Sequence, residues 1–216
     1  MFRIFVIACA LAGVVAAADP QQGTQPGNVL PGPFSAYVVF GGVKPAPKEA
    51  IQTEERQNFG DPTRLYKHHD LVTRFGLDPT VAIFTRDAAP ENDAAMNKLI
   101  KQLDDAVKKY RTSRLHAFAV FLRLKDDFLK DDDRIPQARA IEQLAVKSAI
   151  QNVPLALDQT ESDRTKKWGI GPDDQTIVIL YNQHKVVAKW VFTAEKPLDD
   201  AAVQTMMADV IKAVKK

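Results

Sequence analysis

Adjacent histidine and carboxylate side chains are the clearest candidates for chemistry in this chain. His68-His69-Asp70 places two imidazoles and a carboxylate in a row, and these ligand types suit zinc. Successive residues point in different directions in most backbone conformations. A metal held here would therefore need partners from elsewhere, and a polar loop is the simpler expectation. Asp126, Asp127, Asp131, Asp132 and Asp133 form an acidic run. It lacks the glycine and the distal glutamate of a calcium loop and reads as a solvated loop over 125–133. His116 and His184 have no local Ser or Asp in a catalytic arrangement, and such triads are recognised by geometry. Both histidines read as structural. Gly169-Ile170-Gly171 is a lone glycine pair after a short helical stretch, not a phosphate cradle. Trp168 and Trp190 read as packing residues.

The remaining reactive side chain is a thiol, and its position limits its use. The sequence holds one cysteine, Cys9. It lies in the apolar run 4–15, which follows the positive start Met1-Phe2-Arg3 and precedes Ala16-Ala17-Ala18. That order predicts an export signal cleaved near Ala18-Asp19. The run is shorter than the roughly 20 residues a membrane-spanning helix needs. The expected mature chain is secreted or periplasmic, with no thiol, no disulfide and no transmembrane segment. Val6-Ile7-Ala8-Cys9 also loosely resembles a lipoprotein acylation box, so lipid anchoring through Cys9 stands as an alternative. With 29 Lys and Arg against 27 Asp and Glu, the chain has no electrostatic footprint for nucleic acid.

The elements that must position any site follow from hydrophobic periodicity. Residues 19–33 hold four prolines and three glycines and predict a flexible linker. Residues 34–79 read as an irregular extension, with a strand over 35–41 and one short helix near 48–56. Beyond Pro79 the pattern becomes regular. Apolar runs predict strands over 80–84, 115–122 and 153–157. Residues 92–110 place Met96, Leu99, Ile100, Leu103, Ala106, Val107 and Tyr110 on one helical stripe. A second helix is predicted over 136–150, with Pro136 near its start, and a short one over 162–168, ended by Gly169. Residues 176–181 and 186–192 flank a tight turn and predict a hairpin. Asp199 can cap a last helix whose core face is Val203, Met206, Met207, Val210 and Val214. The order β-α-β-α-β-α-β-β-α over 80–216 implies a three-layer α/β/α sandwich. Its sheet is mostly parallel and becomes mixed at the closing hairpin, before the C-terminal helix.

This order resembles the thioredoxin-like fold. Three segments carry the likeness. TVAIFTRDAAPEN (80–92) is similar to the strand, loop and helix start that carry the reactive cysteine of thioredoxins and peroxiredoxins. NVPLALDQTESDRTKKWGI (152–170) is similar to a strand and short helix of the peroxiredoxin and thiol-reductase branch. DQTIVILYNQHKVVAKWVF (174–192) is similar to the hairpin that follows the active site. The chain as a whole resembles secreted bacterial thioredoxin-like proteins, and it departs from them at the chemistry. Phe84-Thr85 is present, but Ala89-Pro90 stands where the peroxiredoxin pattern has Cys-Pro, and alanine carries no nucleophile. Gln175 stands where the family places a cis-proline, and Pro172 lies three residues earlier. Asp70 and Thr73 align with a Cys-x-x-Cys of the similar secreted proteins.

The resemblance thus implies a thioredoxin-like domain that has lost redox catalysis and needs no cofactor. Its expected role is a binding or scaffold module contacting another envelope or secreted protein. The expected contact surface is the former active-site rim: Arg86, Asp87, Ala89, Pro90 and Gln175. The competing expectations are a thiol-free or metal-assisted enzyme using His68, His69 and Asp70, and a divergent thiol-disulfide oxidoreductase or peroxiredoxin.

Overall fold

Six consecutive buried residues, TVAIFT, form the central strand β3 (Thr80–Thr85). A strand buried on both faces must be covered on both, which fixes the layering. The computed structural model describes residues 23–41, 65–86, 94–124 and 131–215. In chain order these form β1 (Ser35–Phe40), β2 (Lys67–Asp70), α1 (Leu71–Phe75), β3, α2 (Ala94–Lys109), β4 (His116–Leu124), α3 (Asp131–Lys147), β5 (Leu155–Gln159), α4 (Asp163–Lys167), β6 (Asp174–Asn182), β7 (Lys185–Thr193) and α5 (Asp200–Val214). The seven strands make one sheet in the order β2-β1-β5-β4-β3-β6-β7. β3, β4 and β5 are parallel, and the remaining pairings are antiparallel. From 80 onward, the expected order of strands and helices is the observed one.

One face of the sheet is covered by α2, α3 and α5, whose Leu99, Ile100, Leu103, Ile141, Leu144, Val203 and Met206 join a continuous core. The other face buries Phe34, Leu71, Phe84, Phe118, Trp168 and Tyr181 beneath α1, α4 and the N-terminal segment. Its centre is aromatic. Phe34 lies 4.8 Å from Phe84 and 5.5 Å, edge-on, from Trp168. Pairs in this geometry stabilise beyond their buried area.

Three expectations need correction. Residues 23–33 are not a free linker. Gly27 and Leu30 donate backbone N–H bonds to Val186 and His184, and Val186 donates to Asn28. The buried Thr24 hydroxyl donates to the Trp168 carbonyl at 2.8 Å. Composition rich in Pro and Gly described the turns of this segment but not its partners. Residues 65–79 are not irregular either: β2 pairs with β1, and α1 follows directly, capped by Asp70. Finally, α3 begins at Asp131, so the acidic run is in part helical, and Pro136 sits inside the helix rather than in its first turn. The expected helix near 48–56 and the stretch 125–130 lie outside the described residues.

The hairpin turn carries Gln183 and His184 at φ of 51° and 58°. These are left-handed values that glycine or asparagine usually supplies. Outside bonds hold the turn in place: Gln183 donates to the Leu77 carbonyl, and the His184 carbonyl accepts from Leu30.

Candidate functional site

The carboxyl ends of β3, β4 and β5 open at one end of the sheet, the usual location of sites in open α/β sheets. The start of β6 and the start of β1 lie at the same end, as their antiparallel pairings require. The first residue past β3 is Arg86. Its backbone N–H donates to the Gln175 carbonyl at 2.8 Å, continuing the β3–β6 ladder by one rung. Its guanidinium reaches three further carbonyls. Nε donates to Asp174 at 3.0 Å, Nη1 to Thr160 at 2.6 Å and Nη2 to Gly171 at 2.9 Å. Arg86 therefore ties the end of β3 to the loops on either side of α4. Asp174 completes the clasp, accepting the Gly171 N–H on Oδ2 at 2.6 Å. A Cβ at Gly171 would meet that oxygen at 3.1 Å, so glycine lets the turn close. Beneath the clasp, the buried hydroxyls of Thr85 and Thr176 lie 3.1 Å apart.

A second charged cluster stands beside the exit of β5. Asp158 is wholly buried, and Arg164 of α4 holds it by two bonds, Nη2 to Oδ1 at 2.8 Å and Nε to Oδ2 at 3.3 Å. The Gln159 N–H adds a third, at 2.8 Å. Burial still pushes the Asp158 carboxyl above its ordinary range, against the pull of Arg164. α4 is fixed for this task by a capping box. Ser162 Oγ accepts the Thr165 N–H, and Thr165 Oγ1 accepts the Ser162 N–H. Gly169 ends the helix at φ +63°, 3.4 Å (measured from an added Cβ) from the Gly23 backbone. Lys189 Nζ donates to the Gly169 carbonyl at 3.0 Å, and burial lowers the lysine's pKa.

The structure gives the residues that the sequence grouped separate partners. His68, His69 and Asp70 all lie in β2, at the sheet edge. Asp70 serves as the N-cap of α1: Oδ1 accepts the N–H of Phe34 and of Val72 at 3.0 Å each, and Oδ2 accepts the Thr73 hydroxyl. His68 packs edge-on against Tyr37 at 5.8 Å. Its pKa is lowered by burial, and the charges of Arg164 and Arg134 act in the same direction. Among the described residues, no group of three His, Cys, Asp or Glu side chains is placed to hold a metal ion. Arg86 and Gln175 of the expected rim are brought together. Asp87, Ala89 and Pro90 lie outside the described residues, as does Cys9. His116 sits at the far end of the sheet, 3.3 Å from Asp78 and stacked on Phe75 at 4.6 Å. Trp168 is buried, whereas Trp190 is half-buried against the α2/α3/α5 core. Sequence reasoning missed Asp158 and Arg164, six residues apart. An aspartate closing an apolar strand run, followed by an arginine on the next helix, was the available signal.

Solved structures place this architecture. AhpC of Mycobacterium tuberculosis superposes with a TM-score of 0.58 at 9% identity, over 90% of this chain and 94% of that one. AhpC of Mycobacterium bovis gives 0.56 at 10% identity, over 88% and 93%. A Chlorobium tepidum protein assigned as the thiol:disulfide interchange protein DsbE gives 0.53 at 11% identity, over 89% and 99%. The fold is thioredoxin-like. At such identities the likeness concerns the fold alone. No protein-family model matches the sequence, and no characterised protein matches it in sequence. In this thioredoxin-like frame, the position after the central strand is held by an arginine whose three nitrogens all bind carbonyls. The described residues include no cysteine. Among them, no helix is long and apolar enough to cross a membrane.

Proposed function

We propose that this chain is a non-catalytic, thioredoxin-fold binding module that works outside the cytoplasm after removal of residues 1–18. Its partner is another envelope or secreted protein, met at the rim formed by Arg86, Asp87, Ala89, Pro90 and Gln175. The observation that carries this reading is the Arg86 clasp. Directly after the central strand, three residues before Ala89, this chain places a guanidinium bonded to Thr160, Gly171 and Asp174. A guanidinium is neither a nucleophile nor a proton-transfer group at physiological pH. It ties the end of β3 to the two segments flanking α4, and rigid loops on a sheet end favour recognition, because little ordering entropy remains to be lost on binding. The sequence from 10 to 216 contains no cysteine, which further supports a role without thiol exchange.

Two measurements test this. The protein beginning at Asp19 is expected neither to reduce insulin nor to turn over peroxide; either activity would overturn the reading. A photo-crosslinking residue installed in cells at Gln175 is compared with one at Gln183, at the opposite end of the sheet. A discrete adduct at 175 and none at 183 is the expected result. Equal labelling at both sites, or none at either, would remove the rim as a contact surface.

A further inference from the structure

Pro31, Pro33, Ser35, Arg164, Lys167 and Trp168 line a pocket of about 230 Å³ on the α1/α4 face. Its polar side chains are donors. Arg164 is fixed in place because Nε and Nη2 are both engaged by the buried Asp158. Among the described residues, Arg164 Nη1, Lys167 Nζ and Ser35 Oγ have no hydrogen-bond partner. Among the described residues, no carboxylate lines the pocket. Asp158 lies behind Arg164, and its oxygens are taken by Arg164 and the Gln159 N–H. Among the described residues at the pocket, Arg164 and Lys167 set against Asp158 leave one net positive charge. The remaining walls are two proline rings and the edge of a nearly buried indole. A fixed guanidinium beside a flexible ammonium suits an anionic oxygen pair, and the apolar walls suit a small organic body.

We propose that this pocket binds a small organic monocarboxylate, with its carboxylate on Arg164 and Lys167 and its apolar portion against Pro31, Pro33 and Trp168. A monoanion matches the single net charge, whereas a phosphate dianion would carry an uncompensated one. The carboxylate can come from a free small acid or from the C-terminus of a peptide. The inference does not rest on the rim reading, because the pocket shares no residue with that rim.

The test uses the protein beginning at Asp19, with benzoate as the probe and benzamide as its neutral counterpart. Amide and indole NMR shifts are followed on titration. Benzoate is expected to shift Ser35, the 164–168 amides and the Trp168 indole, and benzamide is not. Lys167→Gln changes an exposed side chain, so its fold should persist while benzoate affinity falls about tenfold, and Lys167→Arg should restore most of it. Inorganic phosphate is expected to bind more weakly than benzoate. Arg164→Gln is made together with Asp158→Asn, so that no buried charge is left unpaired, and this pair should abolish binding. A short peptide ending in phenylalanine, as free acid and as amide, identifies the source. Free acid tighter than benzoate assigns a peptide C-terminus, and free acid no tighter assigns a free small acid. The proposal is overturned by benzamide binding as well as benzoate, by an unchanged Lys167→Gln, by shifts mapping elsewhere, or by no shift at about 20 mM benzoate.

Discussion

Arg86 and Arg164 fasten the same short stretch of chain at the exit of β5, by different means. Arg86 binds the Thr160 carbonyl, and its other bonds also go to neutral carbonyls. Arg164 binds Asp158, two residues earlier, and its partner is a fully buried carboxylate. The first arrangement is a staple: geometry is satisfied, every guanidinium nitrogen is occupied, and no opposite charge is required. The second is a charge pair in which one partner is buried and the other keeps a nitrogen toward a pocket. The same side chain thus acts as a structural tie in one case and as a preorganised donor in the other. What its partners leave over decides which.

The largest expected effect tests the charged pair. Arg164→Ala leaves the Asp158 carboxylate buried with only the Gln159 N–H for company. Removing one partner of a buried pair typically costs 3–5 kcal/mol. Arg164 is partly exposed, so about 3 kcal/mol is expected here, read from urea unfolding at pH 7. Asp158→Asn in the same background should recover most of this loss, because it removes the charge that was stranded. If the single variant costs no more than the double, the pair carries no buried-charge penalty and the contrast with Arg86 fails.

Arg86→Ala follows at about 2–3 kcal/mol. Three carbonyls lose a charged donor, each bond contributing on the order of 1 kcal/mol in a part-buried setting. Arg86→Lys should recover at most one of the three bonds, since an ammonium cannot span the fork. A lysine variant as stable as the natural protein would mean that charge, rather than geometry, holds the clasp. Smaller again, Ser162→Ala removes the cap of α4 at a cost of about 1 kcal/mol. It loosens the helix that carries Arg164 and Lys167, so benzoate binding should weaken with it while the Arg86 clasp survives.

The legibility of this molecule in its sequence follows the same division. Elements with apolar periodicity were readable. TVAIFT is buried at every position, and Met96, Leu99, Ile100 and Leu103 form one buried stripe of α2, so their patterns spoke for themselves. β2 was not readable, because KHHD is a polar edge strand with exposed and half-buried positions only. Its strand character comes from pairing with β1, a tertiary fact. Residues 23–33 looked like a linker because turn residues carry no periodicity. Their attachment to the β6–β7 hairpin is made by backbone groups and that to Trp168 by the Thr24 hydroxyl, partners that composition does not encode. Of the expected rim, Arg86 and Gln175 do meet, through their backbones. That the Arg86 side chain turns inward to three carbonyls depends on loops brought in from Thr160 and Gly171, more than 70 positions along the chain.

The smallest effect, a slope with pH, separates the two arginines without disrupting either. His68 and His116 both have pKa values lowered from 6.5, chiefly by burial. The unfolded chain therefore binds more protons than the folded one just below pH 6.5. Stability is full above 6.5 and declines as pH falls through the folded values. Asp158 has the opposite sign, its raised pKa favouring the folded state most strongly below 3.8 and less as pH rises through its folded value. His68 feels the charge of Arg164, whereas Arg86 bonds only to groups that do not titrate in this range. Between about pH 7 and pH 5, the stability of Arg86→Ala should run parallel to that of the natural protein. The loss in Arg164→Ala should shrink toward acid, because Asp158 protonates more readily without its cation and His68 is freed from a repelling charge. His116→Phe keeps the stack on Phe75 and should flatten part of the natural slope. Parallel curves for both arginine variants would mean that Arg164 and Asp158 are no more coupled to titration than the Arg86 clasp, and the distinction between staple and charge pair would collapse.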